Sequence, residues 1–250
     1  MDILFPSAWH WIAAALCAMI IGAAKTGIPG LGFLAVPWMA FLFHDRVALS
    51  AGALLPLLCC ADIIAVWMFR RRASVHHLWH LLPWVLIGLA CGWASLVHLD
   101  NATLRPALGG IILAMIGLHL WRALRPTIAL PGRGAAAVYG VVAGTTTTIA
   151  NAAGPVMNLY LLGQRLPKEE LIATGAWFFF IINLAKVPIY AQQEMITRDT
   201  LLIDALLIPA VILGAMVGRL VLQRIPQRAF EIIVLSLAAL GAVLLFVPLQ

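Results

Sequence analysis

The chain has 250 residues, of which 63% are hydrophobic and only 10% charged; soluble domains carry roughly 25% charged residues. That balance excludes a water-soluble globular protein, and the long unbroken apolar runs exclude barrel strands of about 10 alternating residues. The formal net charge of +6 then reads as basic loops flanking membrane spans, with no call for a nucleic-acid partner.

In chain order, the first apolar run is Ala8–Ala24. The N-terminus lacks the basic start and small-residue cleavage site of a secretory signal, so this run is expected to persist as the first helix. The stretch "GAAKTGIPGLG" follows, and then a short segment, Gly30–Phe43. Val47–Phe69, Leu78–Val97 and Leu104–Trp121 complete a first set of five. After a polar linker come Ala135–Ala150, the short Asn151–Leu162, then Leu171–Ala191, Leu201–Leu222 and Phe230–Leu249. Most approach the roughly 20 residues that span the hydrocarbon core. The expected fold is an all-α integral membrane protein.

The two short segments are each second in their set of five, which points to an internal repeat. "PGLGFLAVP" aligns with "NAAGPVMNL", and "LSAGALLPLLCCADIIAVW" aligns with "IATGAWFFFIINLAKVPIY". Gly88 and Gly92 share their spacing with Gly214 and Gly218. The expected organisation is repeat 1 over residues 1–124, a cytoplasmic linker over 125–134 and repeat 2 over 135–250. The loops "FRRRASVHH" and "WRALRPTIALPGR" are the most basic and are assigned to the cytoplasm. Five crossings per half would make the halves inverted; the short segments either cross fully or form re-entrant pairs with the helices before them.

Inverted repeats with Gly/Pro-interrupted segments at matching places point to a transporter's binding site. Such breaks free backbone N–H groups at the start of the next half-helix, where the dipole favours an anion. The expected substrate-binding set is Lys25, Thr26, Gly27, Gly30, Gly32, Thr147, Asn151, Gly154 and Asn158, forming a small polar cavity for an oxyanion. Lys25 carries most weight, because an ammonium at membrane depth is costly and marks function by default. Glycines and threonines in membrane helices also serve close packing and back-bonding, so each of the others has a structural reading beside the functional one.

Asp62 and Lys186 are the other deep charges, within one residue of equivalence in the repeat alignment, with no further mid-segment carboxylate expected. They are read as a pair, with Asn183 on the same face as Lys186, serving either as a proton-coupling element or as a structural lock. Cys17, Cys59, Cys60 and Cys91 lie inside apolar runs without paired spacing and read as packing residues. His76 and His80 are one turn apart but lack a supporting carboxylate or Cys, so no metal is expected. Neither a catalytic constellation nor a phosphate loop is present, so no enzyme activity and no cofactor are expected.

With these motifs in view, the chain resembles the TauE/SafE family of sulfite exporters. The resemblance lies in "KTGIPGLGFLAVPWMA", "GALLPLLCCADIIAVWMFRR", "TIANAAGPVMNLYLL" and "ATGAWFFFIINLAKVP", which span most of the chain in the family's order. It implies a multi-pass permease of the bacterial inner membrane for sulfite or a related sulfur-containing or organic anion, with its site at Lys25–Gly32 and Asn151–Pro155. Many members carry three glycines where this chain has Gly30-Leu31-Gly32 and Ala153-Gly154-Pro155. The function expected is a secondary transporter of a small anion working by alternating access, with protons as a candidate coupling ion and lipid as its surroundings. A passive anion channel and a membrane-embedded enzyme are the alternatives.

Overall fold

Apolar runs of this length satisfy their backbone polar groups internally, and in lipid the open-chain way to do so is the α-helix. The structure, a computed structural model, describes residues 7–43, 47–98, 106, 109–117, 120, 132–150 and 153–244. Regular structure among the described residues is helical throughout. The helices are α1 (Ala8–Thr26), a 3-10 turn (Leu31–Leu34), α2 (Ala35–Leu42), α3 (Val47–Phe69) and α4 (Val75–His98). There follow α5 (109–117), α6 (Gly132–Ala150), α7 (Ala153–Gly163), α8 (Lys168–Gln192), α9 (Arg198–Arg224) and α10 (Gln227–Leu244).

Among the described residues, α1, α3, α4, α8 and α9 contain five stretches long and apolar enough to cross a membrane. Their outer surfaces are as apolar as their inner ones: Trp67, Trp79, Trp93, Leu86, Leu206 and Leu213 are all exposed. That is the pattern of a chain whose solvent is lipid. Interior prolines occur in four of these helices, Pro56, Pro83, Pro188 and Pro209; each removes one intrahelical hydrogen bond, which membrane helices tolerate. Both short segments are short here too: α2 has 8 residues and α7 has 11. The linker expected over 125–134 is described only from Gly132 on, and there it already belongs to α6.

The chain divides into two compact units. The first takes Met1–Ala73 and Ala176–Pro226; the second takes Ser74–Gly175 and Gln227–Gln250. Each therefore draws on both sequence halves, and α8 begins in the second unit and continues in the first.

In the first unit α1 lies along α9, with α2 and α3 packed against α1. The contact is made by glycines. A Cβ on Gly22 would meet the carbonyl of Val211, one on Gly214 the carbonyl of Met19, and one on Gly218 the carbonyl of Ala23. Thr26 Oγ donates to Gly22 O on its own helix (3.1 Å) and to Ala215 O across the contact (2.7 Å). Because Met19 meets Gly214 and Ala23 meets Gly218, the two helices run parallel. Without a hydrophobic drive between helices in lipid, such backbone-close packing supplies much of the association.

The second unit holds the same contact set between α6 and α4. A Cβ on Gly144 would meet the carbonyl of Val85, one on Gly88 that of Val141, and one on Gly92 the Thr145 carbonyl and Thr148 side chain. Thr148 Oγ donates to Gly144 O (2.9 Å) and to Leu89 O (3.5 Å). An offset of 122 residues carries Met19, Gly22, Ala23 and Thr26 onto Val141, Gly144, Thr145 and Thr148, and one of 126 carries Val85, Gly88, Leu89 and Gly92 onto Val211, Gly214, Ala215 and Gly218. The two helix pairs thus use glycines and threonines at corresponding sequence positions.

Candidate functional site

The break after α1 is built from residues that cannot continue a helix. Gly27 caps α1, its N–H bonding Ala23 O at 2.9 Å, and it lies so close to Gly218 that a Cβ would strike that residue's backbone. Pro29 then offers no donor, and Gly30 takes a φ of 105°, a left-handed conformation costly for any residue with a Cβ. Gly32 has ordinary clearance, its nearest neighbour being Ala24 Cβ at 3.4 Å. Lys25 is held in the last turn of α1, where the negative end of the helix dipole favours a cation.

From there Lys25 Nζ reaches Asp62 Oδ1 on α3 at 2.7 Å, with the Lys25 side chain 12% exposed and Asp62 fully buried. The same ammonium sits 4.1 Å above the Phe179 ring centroid on α8, a cation–π contact strengthened by exclusion from water. Asn183, one turn further along α8, donates Nδ2–H to Asp62 Oδ2 at 2.7 Å. Lys186 follows on the same face, buried and within electrostatic range of both Lys25 and Asp62. Phe179, Asn183 and Lys186 are spaced i, i+4, i+7, so one stripe of α8 lines the cluster.

Sequence reasoning paired Asp62 with Lys186 and assigned Lys25 to the anion cavity, without a direct Lys25–Asp62 contact. The structure joins Asp62 directly to Lys25 and brings Asn183 to the same carboxylate. Phe179 was missed, although its spacing from Asn183 and Lys186 is the available signal. Also missed was Asp204, a carboxylate in the apolar run of α9 and only 4% exposed. Its presence corrects the expectation that Asp62 has no mid-segment counterpart.

The second break lies in the other unit. Thr147 and Asn158 are both buried there. Gly154 lies in the first turn of α7, and among the described residues no atom comes within 4 Å of where its Cβ would sit. Asn151 lies outside the described residues. Thr147 is the counterpart of Lys25 by the 122-residue offset, so the second break carries a neutral threonine where the first carries its lysine. Thr26 turns its hydroxyl to carbonyls in the α1–α9 contact, and its repeat equivalent Thr148 does likewise.

The histidines of α4 are engaged locally. His77 Nδ1 and Ser74 Oγ are 2.6 Å apart, and His80 Nδ1 lies 2.8 Å from the His76 carbonyl. Among the described residues no group of three or more His, Cys, Asp or Glu side chains could hold a metal ion.

A protein-family model described as Sulfite exporter TauE/SafE matches residues 12–245, nearly the whole chain. No curated protein and no solved structure matched it.

Proposed function

The chain belongs to the sulfite exporter TauE/SafE family, a family of membrane transporters, and from that premise we propose that it exports a small anion, sulfite or a related sulfur-containing or organic anion, across the bacterial inner membrane. The observation that carries this reading is the Lys25 cluster. Lys25, Lys186 and Asp62 together have a formal charge of +1, in a buried setting where an unbalanced charge is expensive. A monoanion would balance it. An entering anion contests Lys25 with Asp62, and the loosened Asp62–Lys25 contact marks the loaded state. Gly30 and Gly32, in the break that follows Lys25, carry no side chain to keep an anion from their backbone. The transport step proposed is alternating access between inverted repeats. The repeated α1–α9 and α6–α4 packing supports the repeat; inversion rests on the loop charges.

The test is flux. Purified protein in proteoliposomes is expected to move sulfite, and uptake is expected to respond to an imposed pH gradient. Sulfite flux indifferent to every imposed gradient would favour a passive channel, and no flux of sulfite or of organosulfur anions would overturn the reading.

A further inference from the structure

The first unit buries two carboxylates in opposite ways. Asp62 has an ammonium and an amide as partners. Asp204, inside α9, has neither: among the described residues no group hydrogen-bonds to either of its oxygens. Its neighbours in sequence, Ile203 and Leu207, belong to an apolar cluster with Ala14 and Cys17 of α1 and Leu57 and Ala61 of α3. A carboxylate anion deprived of both water and donors is strongly disfavoured, and the group becomes tolerable there once it holds a proton.

The surrounding charged and titratable groups do not change this. From α3, Cys60 lies in electrostatic range of Asp204, while Cys59 and Asp62 interact with Lys25 and Lys186. From α1 the titratable residues are His10, Cys17 and Lys25, and Lys25 is held by Asp62. On α9 itself, Arg198, Asp199, Arg219 and Arg224 lie toward the helix ends.

We propose that Asp204 is a proton-binding site and supplies the proton coupling of transport, a proposal that rests on the transporter reading above. A hydrated proton on one side adds to a carboxylate oxygen, giving the neutral acid. The acid crosses with the carrier's change of state and returns the proton to water on the other side, one proton per cycle. α3 connects this site to the anion cluster, since Cys60 lies in electrostatic range of Asp204 and Asp62, two residues on, engages Lys25. Both helices carry a proline within two turns of these residues, Pro56 before Cys60 and Pro209 after Asp204, and the hydrogen bond each proline removes leaves its helix easier to bend there.

Two measurements test it. Infrared difference spectra of the purified full chain at neutral pH should show a protonated-carboxyl carbonyl band in the wild type that Asp204→Asn removes. If that substitution removes no such band, the proton site is overturned whether or not the protein transports sulfite. In proteoliposomes with a trapped pH dye, Asp204→Asn should lose sulfite-dependent proton movement and Asp204→Glu should retain it. Undiminished proton movement in Asp204→Asn overturns the coupling role. Should the wild type move no sulfite, the transporter reading fails and the infrared result decides the proton site. Asparagine is neutral and close in shape to protonated aspartic acid, so the variant preserves the local packing.

Discussion

Lys25 illustrates how a buried ion pair constrains its own dissection. Removing one partner leaves the other charged and uncompensated, at a cost of about 3–5 kcal/mol. Lys25→Met is therefore expected to destabilise the protein by up to that order, because Asp62 loses its contacting ammonium and keeps Asn183 and the Lys186 charge. Lys25→Met combined with Asp62→Asn should recover most of the loss, because Asn183 can still hydrogen-bond the new amide. Thermal unfolding of the four members of the cycle in detergent measures the coupling; additive effects would mean the ion pair carries no net stabilisation. Transport in the double variant then tests the substrate role free of the stability defect, and the expectation is that sulfite flux is lost. At the other end of α8, Glu194 takes a φ of 55°, with Met195 N bonding back to Tyr190 O at 3.0 Å. A side chain in that left-handed conformation is costly, so Glu194→Gly should raise stability by roughly 0.5–1 kcal/mol after allowing for glycine's greater chain entropy. An unchanged or lower melting temperature would show that other contacts at this turn outweigh its backbone strain.

At the scale of the helix, the two glycine-packed pairs make parallel claims. Gly22→Ala on α1 and Gly144→Ala on α6 both drive a methyl group into a facing carbonyl, Val211 and Val85 respectively. Each should destabilise by about 1–3 kcal/mol, the usual range for overpacking, and the two losses should be similar because the contacts correspond. Gly154→Ala meets no atom of the described residues within 4 Å and should leave the melting temperature unchanged. If Gly154 is bare because an anion approaches the backbone there, the same substitution lowers sulfite flux in folded protein. Loss of stability without loss of flux would reassign this glycine to packing.

Across the molecule, the compact units do not follow the sequence halves. α1 of the first half pairs with α9 of the second, and α4 of the first with α6 of the second, so folding of either unit awaits synthesis of both halves. The parallel course of each pair fits an even number of chain reversals between its members, as the loop charges require. Labelling with a membrane-impermeant thiol reagent tests the sidedness. A cysteine at Glu194 should react in intact cells, and one at Arg71 only after the membrane is opened. The opposite pattern would reverse the assigned orientation, and equal labelling of both would break the alternation itself.

Much of this was legible in the sequence because it depends on local chemistry. Length and apolarity alone set Ala8–Ala24, Val47–Phe69 and Leu201–Leu222 as membrane helices, since lipid leaves the backbone no partner but itself. Gly27, Pro29 and Gly30 announced the break, because no neighbour can make those residues good helix formers. The spacing shared by Gly88/Gly92 and Gly214/Gly218 announced the repeat, though not which helices those glycines touch. Partnership was decided in three dimensions. That Lys25 closes on Asp62, and that Phe179 lies under the ammonium, follow from how α1, α3 and α8 meet; residue 25, residue 62 and the 179/183 stripe are too far apart in sequence for periodicity to relate them. Asp204 shows the same limit from the other side. Its apolar setting could be read from α9, but whether a buried carboxylate finds a counter-charge depends on what neighbouring helices bring within a few ångströms of it, and that is a property of the packing.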